Sequence, residues 1–114
     1  MAIIYKICPA ALWAEARRVG AFTGAAIDRR DGYIHFSSAA QVAETAALHF
    51  KEQDGLVLVA VDGDRLDAAL RWEPSRGGAL FPHLYGALPL SAVLWAKPMP
   101  LGADGRHHLP DLAP

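Results

Sequence analysis

The sequence predicts a mixed α+β domain with a largely antiparallel sheet and two main helices, and three patterns carry that prediction. The first is an alternating apolar strand over residues 2–8 that runs straight into a helical period closed by Gly20. The second is Leu56-Val-Leu-Val-Ala-Val61, apolar on both faces, which belongs in the interior of a sheet. The third is the short spacing of the later strands, whose connections leave no room for helical crossovers and so require antiparallel neighbours.

In the first strand Ile3, Tyr5 and Ile7 share one face, with Ile4 and Lys6 on the other. Pro9 suits the first helical position, where a missing N–H costs nothing. The following helix, residues 10–19, is expected to turn Leu12, Ala16 and Val19 toward the core. Residues 21–32 have turn residues and charges without a period and read as a loop bordering a cleft.

A short strand at residues 33–36 follows, and Ser38 with Gln41 makes a capping-box pattern for a helix running to about Phe50. Val42, Thr45, Ala46, His49 and Phe50 form its expected buried stripe. Asp54-Gly55 breaks the chain before the interior strand, and Asp62 or Asp64 can cap a short helical piece bearing Leu66 and Ala69. Strands are then expected at 70–73, 80–85 and 92–97, with turn chemistry at Pro74-Ser-Arg-Gly-Gly78.

The 114 residues fit one domain, placed at 1–98, with 99–114 expected as a loosely held tail rich in Pro, Gly and Asp. Hydrophobic residues make up 53% and charged residues 20%, far from the composition of disordered chains. A formal net charge of −1 gives no global field toward nucleic acid or an anionic membrane, so a small-molecule or nucleotide ligand is the expected partner. The longest apolar run is too short to span a bilayer and the N-terminus lacks a signal-peptide pattern, which predicts a cytoplasmic protein. Cys8 is the single cysteine, which excludes an intrachain disulfide and a cysteine-based zinc cluster. At a strand end beside Pro9 it reads as a small buried hydrophobe.

Three segments carry candidate chemistry. In Asp31-Gly-Tyr-Ile-His-Phe-Ser-Ser38 the strand period puts Tyr33, His35 and Ser37 on one face, directly before a helix start at Ser38. The competing reading has Ser37 and Ser38 capping the helix and His35 satisfying a backbone group. In Leu70-Arg-Trp-Glu-Pro-Ser-Arg76, Arg71 and Glu73 lie about 7 Å apart on one face, able to hold two ends of a ligand or to screen each other. There the competing reading makes Trp72 a core residue. In Phe81-Pro-His-Leu-Tyr85, Phe81, His83 and Tyr85 share a face that can form a stacking floor for a planar ring or an aromatic seal on the core. His107-His108 lacks metal-site spacing and no metal is expected, although His35, His83 and Glu73 converging on a zinc ion is a third reading of these segments.

Those three segments together resemble the bacterial family known as domain of unknown function 952, over about residues 3–97. That family is in turn grouped with the ADP-ribosyltransferase-like fold, which includes RNA 2′-phosphotransferases and ADP-ribosylating toxins. In those enzymes a strand carries His followed two positions later by Thr or Ser, and the pair binds the nicotinamide-side ribose of NAD. The resemblance therefore implies that His35 and Ser37 contact a ribose, with Glu73 the nearest match to the late catalytic glutamate. The function implied is a cleft for NAD or another nucleotide-like ligand, in an ADP-ribosyl or 2′-phosphate transferase or in a non-catalytic binding module. His35 and Glu73 are the catalytic candidates. Tyr33 or Tyr85 would stack on the planar ring, Arg71 or Arg76 would meet a phosphate, and Ser38 and His83 complete the binding set.

Overall fold

The computed structural model describes residues 2–112 and is built around two antiparallel sheets that share the first strand's neighbourhood. β1 (Ile3–Pro9) pairs with β4 (Leu56–Asp62), and β4 pairs in turn with β8 (Val93–Pro98), so β4 is central as its uninterrupted apolar run predicts. Side chains alternate cleanly across this sheet. Ile4, Cys8, Val59 and Val61 join one core cluster with Trp13, Phe22, Ile34 and Leu84. Tyr5, Ile7, Leu58 and Ala60 join the other with Val42, Ala46 and Met99. Both faces of the sheet are covered, which is why β4 has no polar side.

α1 (Ala10–Val19) packs against the first cluster and ends at Gly20, whose φ of 101° is left-handed and whose N–H donates to Ala16 O at 2.8 Å. Ala16 is buried and Leu12 is half-buried, as expected, but Val19 is 62% exposed and Trp13 is buried instead. Including Trp13 turns the centre of the inward face roughly a quarter turn away from Val19 at about 100° per residue.

Residues 21–32, expected as a loop, contain β2 (Ala21–Phe22) and α2 (Ala26–Asp31). Both are too short to show a period in sequence. α2 is held by its own Asp28, whose carboxylate accepts the Ala25 N–H at 2.7 Å. β2 pairs with β7 (Leu88–Pro89).

The second three-stranded sheet has the order β3 (Ile34–His35), β6 (Leu80–Leu84), β5 (Leu70–Pro74), all antiparallel. It joins the first sheet through a bridge in which Tyr5 and Ser37 exchange both backbone hydrogen bonds, at 2.8 and 2.9 Å. That bridge brings the His35 segment against the middle of β1. Trp72, read alternatively as core, is 43% exposed, because β5 is the edge of this sheet.

α3 spans Val42–His49 and starts later than Ser38. The Ser38 N–H is taken by Gln41 Oε1 at 3.0 Å, while the Ser38 carbonyl accepts the N–H groups of Gln41 and Val42, so residues 38–41 form a turn that feeds the helix. Val42 and Ala46 are buried, Thr45 and Phe50 are half-buried, and His49 is exposed. A 3-10 turn at Gly63–Ala69 starts at Asp62, which accepts the Asp64 N–H, and buries Leu66.

Beyond Pro98 the described chain makes specific contacts: Met99 is fully buried, Leu109 and Leu112 pack on the second cluster, and the Tyr5 hydroxyl donates to Leu112 O at 2.9 Å. Residues 113 and 114 of the predicted tail lie outside the described residues. Among the described residues no helix is long and apolar enough to cross a membrane.

Candidate functional site

The site is organised from below by an ion pair in the core. Lys6, on β1, is 5% exposed and places Nζ 2.9 Å from Oδ1 and 2.8 Å from Oδ2 of Asp28, which is 1% exposed. Burial acts most strongly on Asp28 and pushes its carboxyl upward. The hydrogen bond to His35, the charge and hydrogen bond of Lys6 and the Ala25 N–H outweigh it and hold Asp28 well below the usual carboxylate range. Burial lowers the Lys6 ammonium from its ordinary value, and Asp28 offsets part of that.

Asp28 fixes His35. Its Oδ1 accepts the His35 backbone N–H at 3.0 Å and stands 2.6 Å from His35 Nδ1. The other ring nitrogen, Nε2, lies 2.9 Å from Asp31 Oδ2 at the last residue of α2, where the side chain is 27% exposed. The carboxyl of Asp31 is held below its ordinary value, chiefly by the Arg30 hydrogen bond. His35 is thus clamped between an inner and an outer carboxylate.

A second imidazole lies across the strand pair. His83 on β6 is the register partner of His35 on β3, and the two rings are 5.7 Å apart and near edge-on at 69°. His83 Nδ1 is 2.8 Å from Glu73 Oε1, and the Tyr85 hydroxyl donates to the same oxygen at 2.7 Å. Those bonds, that of Tyr85 first and then that of His83, lower the Glu73 carboxyl, and in return Glu73 raises the Tyr85 phenol. The Arg71 guanidinium sits 5.0 Å from the centre of the Tyr85 ring.

Tyr33 connects the two histidines. Its ring stacks on His83 at 4.1 Å and 29°, and it lies 4.7 Å from His35 and 5.3 Å from Tyr85. Burial, then Asp31 and Glu73, raise its phenol.

These groups border a cleft of about 530 Å³ between the two sheets and α3, a size ordinary for small-molecule sites. Tyr33, His35, His83 and Asp31 line one side, and Tyr5, Ile7 and Phe50 supply apolar surface. Ser37 lines it too, with Oγ 2.9 Å from Thr45 Oγ1, which itself donates to Gln41 O. Tyr33, His35, Ser37 and His83, from two of the three sequence segments, therefore share one concavity.

The other candidates stand apart from it. Glu73 and Tyr85 reach the cleft only through His83 and Tyr33, Arg71 covers Tyr85, and Ser38 has its N–H occupied by Gln41 and does not line the cleft. The Arg76 side chain lies outside the described residues. Among the described residues no group of three or more His, Cys, Asp or Glu side chains is arranged to hold a metal ion. Sequence patterns assign no chemical role to Lys6, Asp28 or Asp31 and place Thr45 only in a buried helical stripe. Asp28 sat in an apparently unstructured stretch, and a lysine within an apolar strand was the one available signal that an inward carboxylate had to exist.

Comparison with known proteins adds a family and a fold relative. No curated protein matches the chain. The crystal structure of protein CC0527 from Caulobacter crescentus is 48% identical, with 94% of each chain covered and a TM-score of 0.90. Its solution NMR structure gives 48% identity, coverage of 93% of this chain and 91% of that one, and a TM-score of 0.83. The family model described as "Protein of unknown function (DUF952)" matches residues 7–96, and this chain belongs to that family.

Proposed function

We propose that the cleft binds NAD or another nucleotide-like ligand through its nucleoside portion. The observation that carries this reading is the pairing of His35 Nε2 with Asp31 Oδ2 at 2.9 Å beside the stacked Tyr33 and His83 rings. A carboxylate accepts the hydroxyls of a ribose diol, as it does in dinucleotide sites, and an imidazole N–H beside it donates to one of the same oxygens. The aromatic wall offers a face to a planar heterocycle. Ser37 Oγ, used as a donor toward Thr45, keeps lone pairs free for a ligand hydroxyl.

Within the ADP-ribosyltransferase-like relationship, His35 and Ser37 take the ribose-binding role and Glu73 the carboxylate that stabilises a ribosyl cation, in ADP-ribosyl or 2′-phosphate transfer. Arg71, over the Tyr85 ring, is the arginine to meet a phosphate reaching out of the cleft. A second reading, a binding module without chemistry, is favoured by one fact: Glu73 does not line the cleft, and its Oε1 is already engaged by two neighbours. Titration calorimetry with NAD, ADP-ribose and nicotinamide tests the proposal. Millimolar or tighter binding by at least one of them is expected, and no heat with any of the three removes the NAD version. Turnover lost in Glu73→Gln with affinity kept separates the transferase from the module.

A further inference from the structure

Two histidines on paired strands reach one cleft with a carboxylate behind each ring, and we infer that they act as general acid and general base in hydrolysing the N-ribosyl bond of an unphosphorylated nucleoside. This rests on reading the cleft as a nucleoside site.

The hydrogen bonds divide the two roles. Asp28 and Asp31 are ionised, and an ionised carboxylate only accepts, so His35 satisfies both when both of its nitrogens carry protons. His35 is the acid. Glu73 accepts from His83 Nδ1–H, which leaves the Nε2 lone pair as the base. Among the described residues no hydrogen bond is made to His83 Nε2, and His83, itself 3% exposed, lines the cleft. The two ring centres stand 5.7 Å apart across the strand pair.

Charge selects the substrate. Among the described residues lining the cleft Lys6 is the single lysine or arginine, and its ammonium is spent on Asp28. Asp31 adds a carboxylate at the wall, its other oxygen paired with Arg30 Nε at 3.0 Å. A phosphate there meets no free cation, whereas a ribosyl cation forming at C1′ meets a carboxylate. In the reaction the C1′–N bond breaks and its electron pair stays on the base nitrogen, which takes the Nε2 proton of His35. Water adds its oxygen to C1′ and gives a proton to His83 Nε2. The products are free base and ribose, and solvent carries the proton from His83 back to His35. Asp28 and Glu73 are positioning residues that hold tautomer and orientation.

The test is release of free base from adenosine, inosine and uridine by the purified protein, followed by chromatography, with nucleoside affinity measured in parallel. Expected is turnover of at least one nucleoside that falls about a hundredfold or more in His35→Gln and in His83→Ala, well beyond the about tenfold loss of affinity that removing one ribose contact or one stacked ring brings. Added imidazole is expected to restore part of the His83→Ala rate, an effect that a purely structural role of His83 does not produce. If His83→Ala does not fold, Glu73→Gln takes its place, expected to lower turnover while leaving affinity unchanged. Nucleoside binding without release of base overturns the acid–base pair and leaves the binding reading standing. Faster cleavage of nucleotides or NAD than of nucleosides overturns the phosphate-free class. Neither binding nor release overturns both.

Discussion

Lys6 Nζ lies 2.9 and 2.8 Å from the two carboxylate oxygens of Asp28, with both side chains sealed from water. An ion pair in that position contributes little net stability, because desolvation of two charges consumes most of the attraction. Its removal by halves is costly all the same. Lys6→Met leaves Asp28 buried without its cation and is expected to destabilise the fold by roughly 3–5 kcal/mol in urea denaturation. A loss under about 1 kcal/mol means that water reaches Asp28 after all.

Acid stability follows from the same carboxylate. The folded pKa of Asp28 is below its ordinary value of 3.8, so its contribution is complete above that value. Below it the unfolded state takes up a proton that the folded state refuses, and stability is lost as the pH falls. Thermal melts are therefore expected to hold steady through mildly acidic pH and to drop below about pH 3.8. Asp28→Asn should lie lower at neutral pH and decline less steeply in acid. Parallel curves for the two proteins would assign the acid limb to other groups.

Gly24 has a φ of +110°, and a Cβ built there would stand 2.9 Å from Asp28 Cβ. Gly24→Ala thus strains the backbone and pushes the carboxylate that orients His35. A cost of about 1–3 kcal/mol is expected, together with movement of the His35 ring resonances in NMR spectra. Wild-type stability and unmoved resonances would mean that the Ala25 N–H alone positions Asp28.

Burial pushes the Cys8 thiol up to about 11, with full enclosure in the first core cluster. Native protein at pH 8 is expected to react with a chromogenic disulfide reagent only at the rate of unfolding. Reaction within seconds in the absence of denaturant would show that β1 opens locally.

Tyr33 is the ring that a heterocycle in the cleft would meet beside His83. Tyr33→Leu keeps an apolar side chain and removes the aromatic face, so nucleoside or NAD affinity should weaken about three- to tenfold by calorimetry. Stability should change little at this half-buried position.

Much of the frame was legible without coordinates. Periods of two and 3.6 residues located β1 and α1, and an unbroken apolar run located β4, because burial of one face or of both leaves its mark on consecutive residues. The same period grouped Tyr33, His35 and Ser37, which the cleft receives together. Short elements escaped this logic. β2 and α2, at two and six residues, repeat nothing, so their place in the sheet and the inward aim of Asp28 left no pattern.

What the sequence by itself determined is local: which residues alternate, where the helix of residues 10–19 stops, and that a strand apolar on both sides must be covered on both sides. Tertiary structure alone decided which distant groups meet. Lys6 and Asp28 are 22 positions apart, and His35 and His83 face each other only through the β3–β6 register. The physical reason is that backbone periodicity acts over a few residues, whereas the partner of a buried charge is chosen by whichever part of the chain packing brings within hydrogen-bond reach.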